Sequence, residues 1–261
     1  MIHDFTGQVA IVTGGSDGIG LATAKLLARC GATVIICARR PEKLEAARAE
    51  IAALGKVETH QLDVSDDEAF TALVEDVAAR HGRLDMMVNN AMSVHYAPIS
   101  RLKLSHWRKD FAVNADAVFV GTKAAMKVMA GQPLTGRQRG AIVNIASTCG
   151  IRAAPNMASY SASKAALVHF SACAAIEGAP DAIRVNAVIP GQVQTVGTED
   201  FAARAPEVAA RTTGAIPMQR GGEADELAEA IVFMLSDAAS YITGVALPVD
   251  GGKAAQLYMP G

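Results

Sequence analysis

A glycine-rich segment between a short apolar run and a helical run is the feature that most constrains the fold. Residues 9–12 are apolar, residues 13–20 read Thr-Gly-Gly-Ser-Asp-Gly-Ile-Gly, and residues 21–28 have the composition of a helix. Glycines let the backbone adopt positive φ and approach a phosphate closely, and the N-terminus of a helix attracts negative charge. A strand, a glycine turn and a helix in this order predict a unit that binds the pyrophosphate of a dinucleotide.

Predicted strands and helices alternate along the rest of the chain. Two helical periods, 42–54 and 66–81, lie between the early strands. This alternation predicts a doubly wound α/β fold of the Rossmann type, a parallel seven-stranded sheet between two layers of helices. No repeat or change of composition divides the sequence, so we expect a single domain over residues 1–261. The predicted strands are residues 9–12, 33–38, 57–62, 84–88, 142–146, 183–189 and 245–249.

The composition indicates a globular protein and argues against several classes of partner. Of the 261 residues, 51% are hydrophobic and 19% are charged, and the net charge is −2, so no basic excess attracts nucleic acid. No run of about 18 apolar residues and no leader-like N-terminal segment occurs, which predicts a cytoplasmic protein without a membrane partner. The four cysteines lack metal-binding spacing, so we expect reduced, mostly buried thiols and no metal site.

A tyrosine and a lysine four positions apart form a second constellation. Tyr160 and Lys164 share one face of a predicted helix, and Ser147 follows the predicted strand 142–146. A cation beside a phenol favours its ionised form, which predicts that the pKa of Tyr160 is lowered from about 10 toward neutrality. Such a tyrosine can act as a general acid or base. Alone, the pair is more often a half-buried ring beside a solvated amine, but the glycine segment favours proton transfer.

These motifs resemble those of the short-chain dehydrogenase/reductase family over nearly the whole chain. The resemblance implies an oxidoreductase that interconverts a ketone and a secondary alcohol by hydride transfer to or from a nicotinamide cofactor. It also implies a homotetramer, formed through helices over residues 114–130 and 159–178, although the apolar faces of these helices could instead be covered within the subunit. The further motifs that carry the resemblance are Asp63-Val64, Asn89-Asn90-Ala91, Asn114 and the segment 190–195, Pro-Gly-Gln-Val-Gln-Thr.

The resemblance implies a role for each matching residue. Ser147 donates to the substrate oxygen, Tyr160 transfers the proton, and Lys164 binds the nicotinamide ribose. Asn114 holds a water that connects Lys164 to solvent; taken alone, it could instead satisfy local backbone groups. The implied cofactor residues are Gly14, Gly18, Ile19 and Gly20 at the pyrophosphate, with Ser16 and Asp17 in the same turn, Asp63 and Val64 at the adenine, Asn90 and Ala91 near the adenosine ribose, and Val193 and Thr195 at the carboxamide, after Pro190 and Gly191.

The residues after the second strand bear on the choice of cofactor. Ala38 occupies the position where NAD-using relatives carry Asp, and Arg39 and Arg40 follow it. A guanidinium suits a 2′-phosphate, so the sequence favours NADP(H), with NAD(H) as the alternative. Two observations leave that alternative open. The arginines could be a solvated pair opening the next helix, and the Asp17 carboxylate would repel the added phosphate.

The predicted substrate pocket contains one departure from the family pattern. Relatives carry glycine where this chain has Met92, which either lines the pocket or packs into apolar space. His95 is expected at the rim of the pocket rather than in catalysis, because no carboxylate lies near it in the sequence. A segment over residues 194–214 is predicted to close over the site. The pocket is predicted to contain Met92, His95, Cys149 and Met157, with Ser93, Tyr96, Ile151 and Arg152 as further candidates.

Three other functions remain open from the sequence. The first is an NAD-dependent secondary alcohol dehydrogenase. The second is a catalytically silent nucleotide-binding protein, against which Ser147, Tyr160 and Lys164 all argue. The third, reduction of a carbon-carbon double bond, is disfavoured because enoyl reductases of the wider family place the lysine further beyond the tyrosine.

Overall fold

The computed structural model describes residues 3–195, 198 and 203–256. Within these residues, seven parallel strands form one sheet in the order β3-β2-β1-β4-β5-β6-β7, and helices cover both faces. The predicted doubly wound α/β fold is therefore confirmed. The strands are β1 (Val9–Thr13), β2 (Thr33–Ala38), β3 (Val57–Gln61), β4 (Met86–Asn89), β5 (Gly140–Ile145), β6 (Ile183–Pro190) and β7 (Ala246–Val249).

The first, second, third, fifth and sixth α-helices begin and end close to the predicted positions, whereas no positions were predicted for the fourth and the eighth. A π-helical stretch, Ala112–Asp116, joins the fourth helix to the fifth, and a 3-10 turn, Thr148–Gly150, follows β5. In the described part of the chain the α-helices are α1 (Gly18–Arg29), α2 (Pro41–Ala52), α3 (Asp67–His81), α4 (Leu104–Phe111), α5 (Ala117–Ala130), α6 (Ala158–Gly178), α7 (Pro206–Gly214) and α8 (Ala224–Leu235).

Strand β1 lies inside the sheet, between β2 and β4, and is buried on both faces. Successive side chains of a strand point to opposite sides of a sheet. Ala10 and Val12 accordingly join the apolar cluster that contains residues of α1 and α8, whereas Ile11 joins the cluster formed with α3 and α5. A strand covered by helices on both sides reads as a continuous apolar run, which explains residues 9–12.

The strand order places the site at one edge of the sheet. β1 pairs with β2 on one side and with β4 on the other, so the chain winds in opposite directions from these two neighbours. Ligands of such folds bind in the crevice beyond the carboxyl ends of the strands at this switch point. The segments after β1, β4, β5 and β6 meet there. None of the helices in the described ranges is long and apolar enough to cross a membrane.

The cysteines are less buried than predicted. Only Cys37, in strand β2, is fully buried, whereas Cys30 and Cys149 are half-buried and Cys173 is exposed. Cys30 caps α1, Cys149 lies in the 3-10 turn after β5, and Cys173 lies inside α6. Their scattered positions in the sequence do not reveal which of these thiols face solvent. All four are free thiols, as expected.

Candidate active site

The glycine turn after β1 is shaped by close backbone contacts. Gly14 has φ of +64°, and a Cβ built there would lie 3.0 Å from Nδ2 of Asn90. A Cβ on Gly20 would lie 2.3 Å from the Gly14 carbonyl oxygen, so no side chain fits. Asp17 precedes α1, and its Oδ1 accepts a hydrogen bond from Gly18 N at 2.9 Å. The bare turn at a helix N-terminus fits the pyrophosphate of a dinucleotide.

Asn90 attaches the end of β4 to this turn. Its Nδ2 donates to Thr13 O at 3.0 Å and to Gly14 O at 3.3 Å. Thr13 Oγ1 in turn accepts hydrogen bonds from the backbone N–H groups of Asn90 and Ala91. The residues expected at the pyrophosphate and at the adenosine ribose are therefore held together as one unit.

Charged side chains line the rim beyond the glycine turn. Lys43 Nζ donates to Asp17 Oδ2, and Arg40 Nη2 lies 4.0 Å from the same oxygen. Arg39 Nη1 lies 3.9 Å from Oδ2 of Asp63. The exposed fraction of each of these side chains lies between 35% and 60%. Ion pairs this exposed contribute about 0–1 kcal/mol each to the free energy of unfolding.

Lys43 was not predicted from the sequence. It lies in the first turn of α2, three residues after Arg40, where it faces the carboxylate of the preceding glycine turn. The approach of α2 to that turn is a tertiary contact, so only the position early in the helix signals its role. The Asp17 carboxylate, expected to repel a 2′-phosphate, is thereby paired with a cation.

Asp63 and Val64, predicted at the adenine, follow β3. Val64 is buried in the core, whereas the Asp63 side chain is about half exposed. Burial alone would raise the pKa of Asp63, but hydrogen bonds from Ser65 and the nearby charges of Arg39 and Lys109 hold that pKa below its usual value. Asp63 is therefore an anionic acceptor at neutral pH.

The serine turn after β5 packs directly on helix α6. Ser147 precedes the 3-10 turn Thr148–Gly150, and its Oγ accepts a hydrogen bond from Cys149 N at 3.2 Å. A Cβ on Gly150 would lie 2.9 Å from the backbone carbonyl carbon of Lys164. This contact brings Ser147 to Tyr160, whose ionised form is favoured by the serine hydroxyl. The two hydroxyl groups of the predicted relay therefore lie together.

Lys164 is completely buried beneath this pair. Its Nζ donates to Ile145 O, the last carbonyl of β5, at 2.6 Å. The same atom lies 5.9 Å from the centroid of the Tyr160 ring. Burial lowers the pKa of Lys164 to about 7, because the charged form loses its hydration. The predicted adjacency of Tyr160 and Lys164 on one helix face is thus present.

The pKa of Tyr160 departs from the sequence prediction. Burial of the phenol raises its pKa to about 12, and the favourable hydrogen bond of Ser147 does not outweigh that burial. The prediction of a pKa near neutrality is therefore wrong for this structure. The Lys164 ammonium is directed at the Ile145 carbonyl and is itself destabilised by burial, so it supplies little charge to the phenol. A protonated phenol at neutral pH is the form of a general acid.

Asn114 lies in the π-helical stretch between α4 and α5. Its Oδ1 accepts from Ser93 N at 2.9 Å, and its Nδ2 donates to Ser93 O at 2.7 Å and to Ser163 Oγ at 3.0 Å. A π-helical turn inserts one residue and often occurs at functional sites. Asn114 therefore satisfies local backbone groups and also contacts α6, while its role in a water chain stays a prediction.

The predicted pocket residues come from two segments that meet. Ala97 N donates to Asn156 O at 2.9 Å, which joins the loop after β4 to the residues before α6. Beside this junction, the sulfur atoms of Cys149 and Met157 lie 3.9 Å apart. Met92 is 53% exposed, so it does not pack into apolar space. The lining of the substrate side remains a prediction for these residues.

His95 has the orienting carboxylate that the sequence did not reveal. Its Nδ1 lies 2.7 Å from Oδ1 of Asp110, a fully buried residue of α4. No carboxylate lies near His95 in the sequence, but the fold supplies one, so the reason given for placing His95 outside catalysis does not hold in the structure. Fifteen positions separate the two residues, so only the packing of α4 against the loop brings them together.

The segment after β6 completes the site in part. A Cβ on Gly191 would lie 2.8 Å from Asp250 Cα, and Val193 is buried. Thr195 N donates to Thr198 Oγ1 at 2.8 Å. In the predicted lid, α7 spans Pro206–Gly214, while residues 196, 197 and 199–202 lie outside the described residues. No cluster of potential metal ligands occurs among the residues described, and a metal site was not expected.

Comparison with known proteins agrees with the geometry. A family model described as enoyl-(acyl carrier protein) reductase matches residues 14–254. The chain is 38% identical over 247 residues to 3-oxoacyl-[acyl-carrier-protein] reductase FabG of Thermotoga maritima. The aligned region covers 94% of this chain and 97% of that protein. It is 37% identical over 249 residues to cyclopentanol dehydrogenase of Comamonas testosteroni, with 95% and 97% covered.

A solved structure is similar over the same length. It is a crystal structure from Beutenbergia cavernae that is named an NAD(P)-dependent gluconate 5-dehydrogenase and contains NADP at low occupancy. It superposes with a TM-score of 0.90 at 36% identity, covering 98% of this chain and 100% of that one. The chain described here therefore belongs to the short-chain dehydrogenase/reductase family. It is an enzyme that acts on CH–OH or C=O groups with NAD(P).

Proposed function

We propose that this protein is an NADP(H)-dependent oxidoreductase that interconverts a small ketone and the corresponding secondary alcohol. The arrangement of Ser147, Tyr160 and Lys164 beside the glycine turn supports this proposal most strongly. Two hydroxyl groups lie together at the carboxyl edge of the sheet, and the buried lysine lies beneath them. A protein that only bound a nucleotide would not need this arrangement, which disfavours the catalytically silent alternative.

Each of these side chains has a distinct task in the proposed reaction. The nicotinamide of the bound cofactor supplies or accepts the hydride at the carbonyl carbon. Tyr160 is protonated at neutral pH because burial raises its pKa to about 12, so it can donate a proton to the carbonyl oxygen. Ser147 donates a hydrogen bond to the same oxygen as it gains negative charge. Lys164 would bind the nicotinamide ribose and hold the base of the site to β5.

The rim of the adenosine site supports NADP(H) over NAD(H). Arg39 and Arg40 lie beside the turn that would receive the adenosine ribose, and no acidic residue occupies position 38. Lys43 compensates the charge of Asp17, the feature that argued against a 2′-phosphate. NAD(H) is the alternative, because Asp63 is anionic and lies at the same rim. Values of kcat/KM for NADP⁺ and NAD⁺ decide between them, and equal or better use of NAD⁺ would overturn the assignment.

The substrate is proposed to be a small, largely apolar ketone or secondary alcohol. Met92, Tyr96 and Met157, residues predicted at the pocket, offer thioether and aromatic surface, and one relative is named a cyclopentanol dehydrogenase. Double-bond reduction is not proposed, because Tyr160 and Lys164 stand four positions apart. A cytoplasmic location and a homotetramer remain predictions; the exposed apolar side chains of Phe119 on α5 and Ile176 on α6 agree with contacts between chains.

The variant Tyr160→Phe tests the proposed mechanism. It keeps the ring and removes the proton donor, so kcat for cyclopentanone with NADPH, or for the best ketone of a small panel, is expected to fall by about 10²–10⁴-fold. The Kd for NADPH, measured by fluorescence, should stay at the wild-type value. Tyr241→Phe is the matched control, because Tyr241 is fully exposed and should retain wild-type turnover. Undiminished turnover by Tyr160→Phe would remove the phenol from the reaction.

A further inference from the structure

A buried carboxylate lies beside the proposed site and has no role in the mechanism above. Asp110, in α4, is fully buried and accepts hydrogen bonds from four donors. On one side these are Ser93 Oγ at 2.9 Å, His95 Nδ1 at 2.7 Å and His95 N at 3.3 Å. On the other side, Ser159 Oγ donates at 2.6 Å. The carboxylate therefore bridges the loop after β4 and the first turn of α6.

A second bridge of the same kind lies one helical turn further along the chain. Asp110 and Asn114 stand four residues apart, and both bind Ser93, the first through the side chain and the second through the backbone. Their partners on α6, Ser159 and Ser163, are also four residues apart. Residues with this spacing share one helix face. Two helical segments are thus joined by two matched contacts, with the loop held between them.

The chemistry of the cluster requires an ionised carboxylate. Burial opposes the charge of Asp110, but hydrogen bonds from Ser159, His95 and Ser93 together hold its pKa below the usual value. An acceptor-only carboxylate can take all four donors at once, whereas an amide would turn an NH₂ group toward one of them. Removing the charge therefore leaves buried donors unpaired, and such groups are costly to leave unsatisfied.

The bridge ends directly beside the proposed acid. Ser159 immediately precedes Tyr160, and the negative charge of Asp110 is close enough to contribute to the raised pKa of that phenol. On the loop side, the contact with Nδ1 identifies this nitrogen as the protonated one of the His95 ring, because Asp110 can only accept. The ring also stacks on His106 at a centroid distance of 4.2 Å, so its orientation is fixed from two directions.

We infer that Asp110 is a positioning residue, which couples the substrate-side loop at Ser93 and His95 to the start of α6 and thereby sets Tyr160 against the substrate. The inference rests on the proposed function, because it assigns Asp110 a purpose in the proton transfer of Tyr160. Asp110 itself does not touch the reacting atoms. Small displacements of a reacting group are known to cost large factors in rate, which makes such a bridge consequential.

The variant Asp110→Asn tests this inference, with NADPH and the best ketone of the panel. We expect kcat to fall by about 10–100-fold, as for other residues that orient catalytic groups, with the Kd for NADPH within twofold of wild type. Amide hydrogen exchange should accelerate both in residues 93–97 and in residues 158–162, because the bridge fails at both ends. A purely structural role would instead lower the melting temperature without this paired change.

Matched variants separate the coupling from general damage. Asp116→Asn makes the same chemical change six residues along the chain at an exposed position, and should leave kcat and both exchange regions at wild-type values. Ser159→Ala removes the contact of the bridge with α6, and Ser93→Ala removes one of its loop-side contacts; each should lower kcat by about 3–10-fold, the effect of one hydrogen bond. These two variants also decide the question if Asp110→Asn does not fold. In a double-mutant cycle their effects should be less than additive, because both act through Asp110.

Two outcomes would overturn the inference. One is a folded Asp110→Asn enzyme with wild-type kcat, and the other is faster exchange confined to the loop alone. Failure of the proposed function has a different signature, since the wild-type protein would then turn over no ketone of the panel with either cofactor. The exchange measurement needs no turnover, so it tests the coupling of loop and helix in that case as well.

Discussion

The adenosine rim and the proton-relay site use opposite kinds of interaction. At the rim, Lys43 pairs with Asp17 and Arg39 lies near Asp63, and all of these side chains are partly exposed. At the relay, Lys164 and Asn114 are fully buried and bind neutral carbonyl, amide and hydroxyl groups. Exposed pairs are weak and screened by salt, whereas buried polar groups are costly to disrupt. Substitutions at the rim should therefore have smaller effects than substitutions at the relay.

The largest effect is expected from Lys164→Met. The pKa of Lys164 is about 7 in the folded protein and 10.5 in the reference state, so the unfolded chain binds more protons between these values. Stability of the wild type should consequently rise with pH in this window, by at most about 5 kcal/mol from this group. Below pH 7 both states are protonated and the slope vanishes. Urea denaturation between pH 6 and 9.5 measures this change in the free energy of unfolding with pH.

Methionine carries no titrating group, so the variant should lose this rise with pH and should also lose most of its turnover. Comparing slopes cancels the contributions of other groups, including Tyr160 and Cys37, whose raised pKa values act in the opposite sense at higher pH. Lys127→Met, at an exposed position paired with Glu75, should keep the wild-type slope. Equal slopes for Lys164→Met and wild type would contradict the claim that the buried amine titrates near neutrality.

An intermediate effect is expected from Arg39→Ser at the rim. Loss of one charge-assisted hydrogen bond to a 2′-phosphate is worth about 1.5–3 kcal/mol, so kcat/KM for NADP⁺ should fall by roughly 10–100-fold. The value for NAD⁺, which lacks that phosphate, should change little. Arg48→Ser is the matched control, since Arg48 lies further along α2 and pairs with Glu45. A parallel loss for both cofactors would show that Arg39 acts on folding or on the adenosine in general.

The smallest effect is expected from Lys43→Met. Removing the cation leaves the Asp17 carboxylate less compensated beside the proposed phosphate, which should lower kcat/KM for NADP⁺ by about 2–5-fold, as for an exposed pair. The effect should shrink further in 0.5 M salt, because screening weakens exposed charges. Lys25→Met, which removes an exposed pair with Glu50 elsewhere on α1, should have no such effect. A salt-independent loss would mean that Lys43 acts through packing.

Local features of the sequence predict the fold and much of the site. Gly14 and Gly20 follow from a strand, a turn and a helix in immediate succession, and Tyr160 and Lys164 follow from the spacing of one helix turn. These are short-range relations, which periodicity and turn chemistry determine. The parallel sheet likewise follows from alternating strands and helices.

The remainder depends on contacts between distant segments. Asp110 meets Ser159 across 49 positions, and Lys43 meets Asp17 across 26. The pKa of Tyr160 was predicted in the wrong direction for the same reason, since the depth of its burial depends on how other segments cover α6. Helix spacing identifies a neighbouring cation but not the solvent that either group loses, and that loss dominates here.

The contact at Gly150 has a consequence for how such an enzyme can diversify. Because the serine turn meets the main chain of α6 with no side chain between them, the gap between the turn and the helix is set by backbone atoms. Exchanges of side chains around Met92 or Met157 can reshape the loops without widening that gap. New substrates can therefore be recruited by changing the loops, while the close approach of the serine turn to α6 is retained.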